Sequence, residues 1–295
     1  MKRRNFLKDL AIGSLMWNFG PKLFAQDSGH PDLAIIEGES PAQITKEAIA
    51  SLGGMPRFIS RGDKVIIKPN IGWDRTPEQA ACTNPEVVKT LVELCFEAGA
   101  KEVKVMDNPC NPARRTYVRS GIQKAAKEAG ADVPLPNEHH LKKTAISGDA
   151  IKEWEVYSDF VETDKIINAP IAKTHSLSRV TLGMKNWLGA IGGNRNQLHQ
   201  NLDLAVIDLA HFFKPVLTVL DAYRILLRNG PQGGRLSDAK LQKTVVAGID
   251  YVAVDSMGAT FFGINPTDLR FLQLAQKKGR GEFDLEKLKI EKRTL

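Results

Sequence analysis

Cysteine is scarce: Cys82, Cys95 and Cys110 are the only three in 295 residues, and no two of them stand at CxxC spacing. A cysteine-built iron–sulfur cluster or structural zinc site needs several closely spaced thiolates, so neither is expected as a cofactor. A single disulfide stays open, since Cys82 and Cys110 fall in loops, while Cys95 falls in an apolar helical segment and reads as core. Aromatic residues are 7% of the chain, too sparse for the stacking platforms of a single-strand nucleic-acid binder. A membrane-spanning run is missing too, since the apolar stretch at 10–19 is about half of what a spanning helix needs. Gly189, Gly192 and Gly193 match neither a Walker loop nor a dinucleotide fingerprint, and there are no repeats or low-complexity tracts.

What remains is an ordinary globular composition, 42% apolar and 25% charged, long enough for one large α/β domain or two small ones. The formal charge of +7 is concentrated at the N-terminus, where residues 1–25 hold Lys2, Arg3, Arg4, Lys8 and Lys22 against Asp9. The rest of the chain carries only about +3, which removes most support for a nucleic-acid partner. Within that head, "RRNFLK" (3–8) resembles a twin-arginine export signal, with Lys2 where Ser or Thr is usual, and Ala25 offers a small residue for cleavage. A basic tail on an amphipathic helix is the plainer alternative. The resemblance implies the twin-arginine machinery as a partner and a periplasmic or extracytoplasmic destination. Membrane contact would come only through this segment if uncleaved. That route carries folded proteins and permits a cofactor loaded beforehand.

From residue 33 onward, short apolar runs alternate with segments of helical period, which predicts a single domain over 33–295. Strands are expected at 33–38, 64–70, 102–109, 165–175, 216–222 and 243–250. Helices are expected from 41 behind Ser40, at 84–100 behind Asn84 and Pro85, at 114–129, at 201–213 behind Asn201, at 252–263 and at 268–279. The polar stretch 131–159 breaks the pattern and suggests an irregular or β insertion near 131–160. The fold class is therefore α/β, a mostly parallel sheet with helices on both faces.

In open α/β sheets ligands gather outside the carboxyl ends of the strands. Here those ends carry Lys68 and Asn70, Asp107, Lys173 and His175, Asp221, and Asp250. A lysine directly after a buried β-branched run must reach water, a carboxylate or an anionic ligand, so Lys68 and Lys173 are the most informative pair. His175 is an acid or base, a metal ligand, or a satisfied loop residue. Asp250 precedes a helix and suits an N-cap, and Asp107 suits a turn. Asp221 lacks such an excuse, and Asp255 sits in an otherwise apolar helix where a carboxylate needs a partner. Lys185, Asn186, Arg195 and His199 follow around a glycine-rich turn, with Arg195 able to clamp a carboxylate or phosphate. His199 and His211 are not spaced as a metal pair; His211 reads as core, and His139 and His140 as exposed. The loop "RNGPQGGR" (228–235) is either a plain turn or a cover for a pocket.

The segments "VIIKPNI", "TNPEVVKTLVELCFEAGAKEVKVMDNP", "INAPIAKTHSLSRVTLGMKNWLGAI", "LTVLDAYRILLRNGPQGGR" and "VVAGIDYVAVDSMGATFFG" together resemble the domain of unknown function 362 family over about 63–281. That family has no assigned activity. Some relatives carry a ferredoxin-like cysteine cluster, which this chain lacks. The resemblance implies recurrent polar positions at Lys68, Asn70, Asp107, Lys173, His175, Lys185, Asn186, Asp221, Asp250 and Asp255. The leading expectation is an enzyme acting on a small anionic ligand. Lys173, His175, Asp221 and Asp255 are its catalytic candidates, and Lys68, Asn70, Asp107, Lys185, Asn186, Arg195, His199 and Asp250 its binding candidates. Any metal stays unassigned. A non-catalytic binder of a small acid or metal chelate, and a cofactor-loaded redox partner, are the alternatives.

Overall fold

The computed structural model describes residues 29–295; the 1–25 segment read as an export signal lies outside the described residues. The chain forms β1 (Leu33–Glu37), α1 (Pro41–Ser51), β2 (Lys64–Pro69), α2 (Pro85–Glu97), β3 (Glu102–Val105), α3 (Ala113–Arg119) and α4 (Ile122–Glu128). A hairpin, β4 (Leu141–Ala145) and β5 (Glu153–Tyr157), comes next, followed by β6 (Lys165–Ala169), β7 (Ile171–His175), β8 (Arg179–Thr181), the short α5 (Gly183–Asn186) and α6 (Leu202–Phe213). The remainder is β9 (Leu217–Leu226), β10 (Ala239–Gly248), α7 (Tyr251–Thr260), α8 (Arg270–Lys277) and β11 (Ile290–Thr294).

Nine strands make one mixed, mostly parallel sheet in the order β11-β1-β10-β9-β6-β2-β3, with β7 on β9 and β8 on β7. Only β8 and β10 oppose the common direction. Alternation along the strands decides which helix layer each side chain meets. Val65, Ile67, Val103, Ile167, Val219 and Val245 pack with α1, α2 and α4. The intervening Ile66, Ile166, Leu220 and Val246 pack with the layer of α6, α7 and α8. Helices therefore cover both faces, as expected from the continuous apolar runs.

The 131–160 region is a two-stranded antiparallel sheet of its own, bridged to the main body by Val156 opposite Ile191. Ser40, Asn84 and Asp250 each cap their helix by accepting backbone N–H groups. Three local expectations are corrected. Gly121, at φ 74°, breaks 114–129 into α3 and α4, because the left-handed turn cannot continue a helix. Pro170, which has no N–H for the ladder, splits the expected 165–175 strand into β6 and β7. Asn201 makes no side-chain cap to α6, because a 3-10 turn (Arg195–Asn201) already leads into that helix.

Candidate functional site

Lys68 has the parity of Ile66, so it leaves β2 on the α5 side of the sheet and is fully buried. Its Nζ donates to Pro69 O (2.9 Å) and Asn186 Oδ1 (3.0 Å), and lies 2.7 Å from Asp107 Oδ1. Asp107 anchors its other oxygen on Ile71 N at 2.6 Å. A buried charge needs this completeness of pairing. Gly189 makes the space for it: a methyl there would stand 2.7 Å from Lys68 Nζ and 2.9 Å from Asp107 Cγ.

Lys173 arrives from the other face. Its neighbour Ile171 packs against Ala80, and Lys173 Nζ donates to Ala81 O (2.6 Å) and Asn70 Oδ1 (2.9 Å), whereas Ala172 between them joins the opposite layer. Two carboxamides link the lysines around the strand ends. Asn70 Nδ2 donates to Asn186 Oδ1 at 3.0 Å, and Asn186 Nδ2 donates to Lys68 O and to Asn168 Oδ1. Five of the expected residues, Lys68, Asn70, Asp107, Lys173 and Asn186, thus form one continuous, largely buried network.

Lys185, at the end of α5, donates to Ser178 Oγ at 2.8 Å. Arg195 spends its guanidinium on the carbonyls of Asn108 (2.8 Å), Leu188 (3.1 Å) and Pro109 (3.1 Å). Its expected clamp on a ligand is corrected to a brace between the loop after β3 and the segment after α5. Among the described residues neither Lys173, Lys185 nor Arg195 forms an ion pair with a carboxylate. Burial lowers Lys185 to about 7, with the charge of Lys173 adding to the effect. Burial likewise lowers Lys173 to about 8, while Lys68 is lowered by burial and partly restored by Asp107.

His175 Nδ1 accepts Leu177 N at 3.0 Å, so the neutral ring carries its proton on Nε2. Burial, then the charge of Lys185, pushes this ring down to about 3. His199 stacks on it with ring centroids 6.4 Å apart. The thiol of Cys110 is exposed. All three cysteines are free. Gly230 packs directly on the Thr174 carbonyl, which seats the 228–235 loop against β7 beside this cluster.

Two carboxylates expected at the cluster, Asp221 and Asp250, stand elsewhere, whereas Asp255 lines the same cleft as Lys185. Asp221 has the parity of Val219 and faces α2, where its oxygens accept Asn84 N (2.7 Å) and Tyr223 N (2.9 Å). Asp255 holds the start of α5 through Gly183 N (2.5 Å) and Met184 N (2.9 Å). Burial raises Asp221 to about 6 and Asp255 to about 7. Asp250 follows β10, which runs against the common direction, so it lies at the opposite edge of the sheet. There it caps α7 and accepts Glu282 N. For Asp221 and Asp250 the reason is topological, and strand-end position alone does not reveal face or direction. Of the histidines, His139 and His140 are exposed as expected, while His211 is half-buried rather than core.

Sequence reasoning missed Asn168, Ser178 and the packing role of Gly189. Asn168 left a signal, a polar residue inside the apolar run of β6, because an asparagine fully buried there needs partners. Groups of three or more His, Cys, Asp or Glu arranged to hold a metal do not occur among the described residues.

These features define an α/β protein with a cation-rich, asparagine-linked cluster at the strand ends of a mostly parallel sheet. The chain belongs to the family described as Domain of unknown function (DUF362), which matches residues 65–260. It is 25% identical over 236 residues to a thylakoid-associated protein of Synechocystis sp., a match covering 77% of this chain and 72% of that one. Two solved structures are similar at low level. One is the lactate racemase apoprotein from Thermoanaerobacterium thermosaccharolyticum (TM-score 0.48, 13% identity, 77% of this chain and 56% of that one). The other is a Thermotoga maritima protein (TM-score 0.41, 12% identity, 75% of this chain and 59% of that one). The chain spans under two thirds of the length of both structures.

Proposed function

We propose that the protein is an enzyme that binds a small carboxylate- or phosphate-bearing molecule at the Lys68, Lys173 and Lys185 cluster. The observation that carries this reading is a charge imbalance: Lys68, Lys173 and Lys185 gather while Asp107 is matched to Lys68, and Asp255, beside Lys185, is spent on the Gly183 and Met184 N–H groups. Buried like charges are costly, and an anion relieves that cost. Lys173 supplies an ammonium with an unspent donor, and His175 supplies a neutral N–H, so binding and proton transfer have separate groups. Asp107 holds Lys68 charged, and Asn70 and Asn186 fix the two lysines relative to each other.

The "RRNFLK" head supports export by the twin-arginine route, with the domain delivered folded. Cell fractionation of the full chain against an Arg3→Lys/Arg4→Lys variant tests that part; equal amounts outside the cytoplasm refute it.

For the site, the test is thermal unfolding with inorganic phosphate or acetate at constant ionic strength. A ligand at a hundred times its Kd adds about 2.7 kcal/mol, a rise of roughly 5–10 °C for a domain of this size. Lys173→Met should abolish the rise; an unchanged rise in that variant removes the pocket. Turnover of small anionic metabolites, followed by mass spectrometry, separates enzyme from binder. An enzyme loses turnover in Lys173→Met, whereas a binder consumes nothing in either form.

A further inference from the structure

We propose that two turns at the carboxyl edge of the sheet, 176–179 after β7 and 227–241 from the end of β9 into β10, form a docking surface for an anionic lipid bilayer. This surface goes beyond the anion site proposed above and does not depend on it.

Topology puts the two turns side by side. β7 and β9 pair in parallel, with Lys173 opposite Leu226, so both strands deliver the turns that follow them to the same edge. A methyl on Gly230 would stand 1.9 Å from the Thr174 carbonyl oxygen, so the longer turn lies against β7. Seven large apolar side chains are exposed among the described residues, and four of them fall here: Leu177 (68%), Leu236 (65%), Leu241 (40%) and Leu227 (37%). Exposed leucines scattered singly need no explanation, whereas four at one edge mark a contact surface that folding leaves uncovered.

The exposed charge on the two turns is of one sign. Arg179, Arg228, Arg235 and Lys240 are all exposed and form no ion pair among the described residues. Asp238, the carboxylate of the longer turn, is 4% exposed and turned inward, where its oxygens accept Asn229 Nδ2 (2.9 Å) and Arg235 N (3.2 Å). Carboxylates on adjoining elements leave that excess in place. Glu39 pairs with Lys243, and Asp268 meets Arg179 through its backbone carbonyl at 3.3 Å. Glu78 adds one negative charge on the turn whose Gln79 Nε2 donates to Gly234 O at 2.6 Å.

That composition selects the partner. Leucines flanked by arginine and lysine enter the headgroup boundary while the cations meet lipid phosphates, and each such cation strengthens attachment about fivefold. A second copy of the chain would set like charges face to face. Hot spots between proteins favour Trp, Tyr and Arg over leucine, and single-stranded nucleic acid needs aromatic stacking, yet the two turns hold no aromatic residue.

The test is co-sedimentation of the full-length protein with phosphatidylcholine vesicles containing about one third phosphatidylglycerol. Every variant keeps residues 1–25, so attachment through that basic head is common to all. The parent should bind these vesicles, lose binding as salt rises, and bind pure phosphatidylcholine far less. Arg235→Glu/Lys240→Glu should lower the partition coefficient by roughly twentyfold or more, and Leu177→Ser/Leu236→Ser by roughly tenfold, with unfolding temperatures unchanged. Val161→Ser is the control: that side chain is 51% exposed but lies just before β6, at the opposite edge, and the variant should bind as the parent does. Parent-like binding by the charge variant assigns attachment to the head and overturns the surface. Parent-like binding by the leucine variant leaves charge alone, as for an acidic protein, and overturns the bilayer as partner. A dimer in sedimentation velocity that either variant dissolves makes the turns a contact between copies and overturns it as well.

Discussion

Replacing Gly189 with alanine should split the buried Lys68–Asp107 pair. The added methyl would stand 2.7 Å from Lys68 Nζ and 2.9 Å from Asp107 Cγ, where relaxed contacts need about 3.5 Å. Neither partner can retreat to water, since Lys68 is 0% and Asp107 2% exposed. Ile71 N holds the far carboxylate oxygen at 2.6 Å, and the Gly189 carbonyl is tied to Asn108 N at 2.8 Å. Overpacking alone costs about 1–3 kcal/mol, and breaking a buried pair about 3–5 kcal/mol. The expected loss is about 3 kcal/mol, on the order of a hundredfold in the unfolding constant. Urea unfolding at pH 7 reads it directly. Gly263→Ala is the control: φ is 65° there, but a methyl meets nothing within 4 Å, so only the left-handed backbone cost of about 1–2 kcal/mol applies. If Gly189→Ala stays within about 0.5 kcal/mol of the parent protein, the close packing of glycine on the ion pair is wrong.

Asp255 should make stability fall with rising pH. Its folded pKa is raised from 3.8 to about 7, so the native state holds a proton that the unfolded chain releases, and the penalty grows between pH 4 and 7. Relative to Asp255→Asn, the parent should lose up to about 4 kcal/mol from pH 4 to pH 8 in urea unfolding; a pH-independent difference refutes this. Lys185→Met should raise the unfolding temperature at pH 7. The folded pKa of Lys185 is lowered, so its penalty is complete below pH 7 and fades toward 10.5, and a gain that grows above pH 10 would contradict the sign. Asp221→Ala should destabilise by about 1–3 kcal/mol by stranding Asn84 N and Tyr223 N, yet leave the phosphate-induced shift intact. A lost shift in that variant would place Asp221 back in the site.

The residues of the network were legible because each breaks an apolar pattern. Lys68 ends "VII", Lys173 follows "APIA", and Asn186 sits among Met184, Trp187 and Leu188 in a mostly buried turn. Charge at such places forces a partner to exist. Which partner was not legible. Asp221 and Lys173 both belong to strand-end segments, yet alternation turns Asp221 toward α2, and the reversed β10 carries Asp250 to the far edge. Sequence gives neither a strand's neighbours nor its direction, and both come from long-range pairing. The helix break at Gly121 and the strand break at Pro170 were visible as residue types, but the apolar periodicity on either side outweighed them. The α/β class needed only the period of the apolar runs, which survives such local errors.

The Asn70–Asn186 bond has a mechanical meaning beyond satisfying two carboxamides. Lys173 belongs to the side of the sheet that Ile171 faces and Lys68 to the side of α5, so this 3.0 Å contact joins two layers that otherwise meet through apolar packing on the strands. Apolar layers can slide with little change in contact area, whereas a chain of directed hydrogen bonds has one register. The chain from Lys173 through Asn70 and Asn186 to Lys68 therefore fixes one layer against the other like a clasp whose pin is a pair of amides.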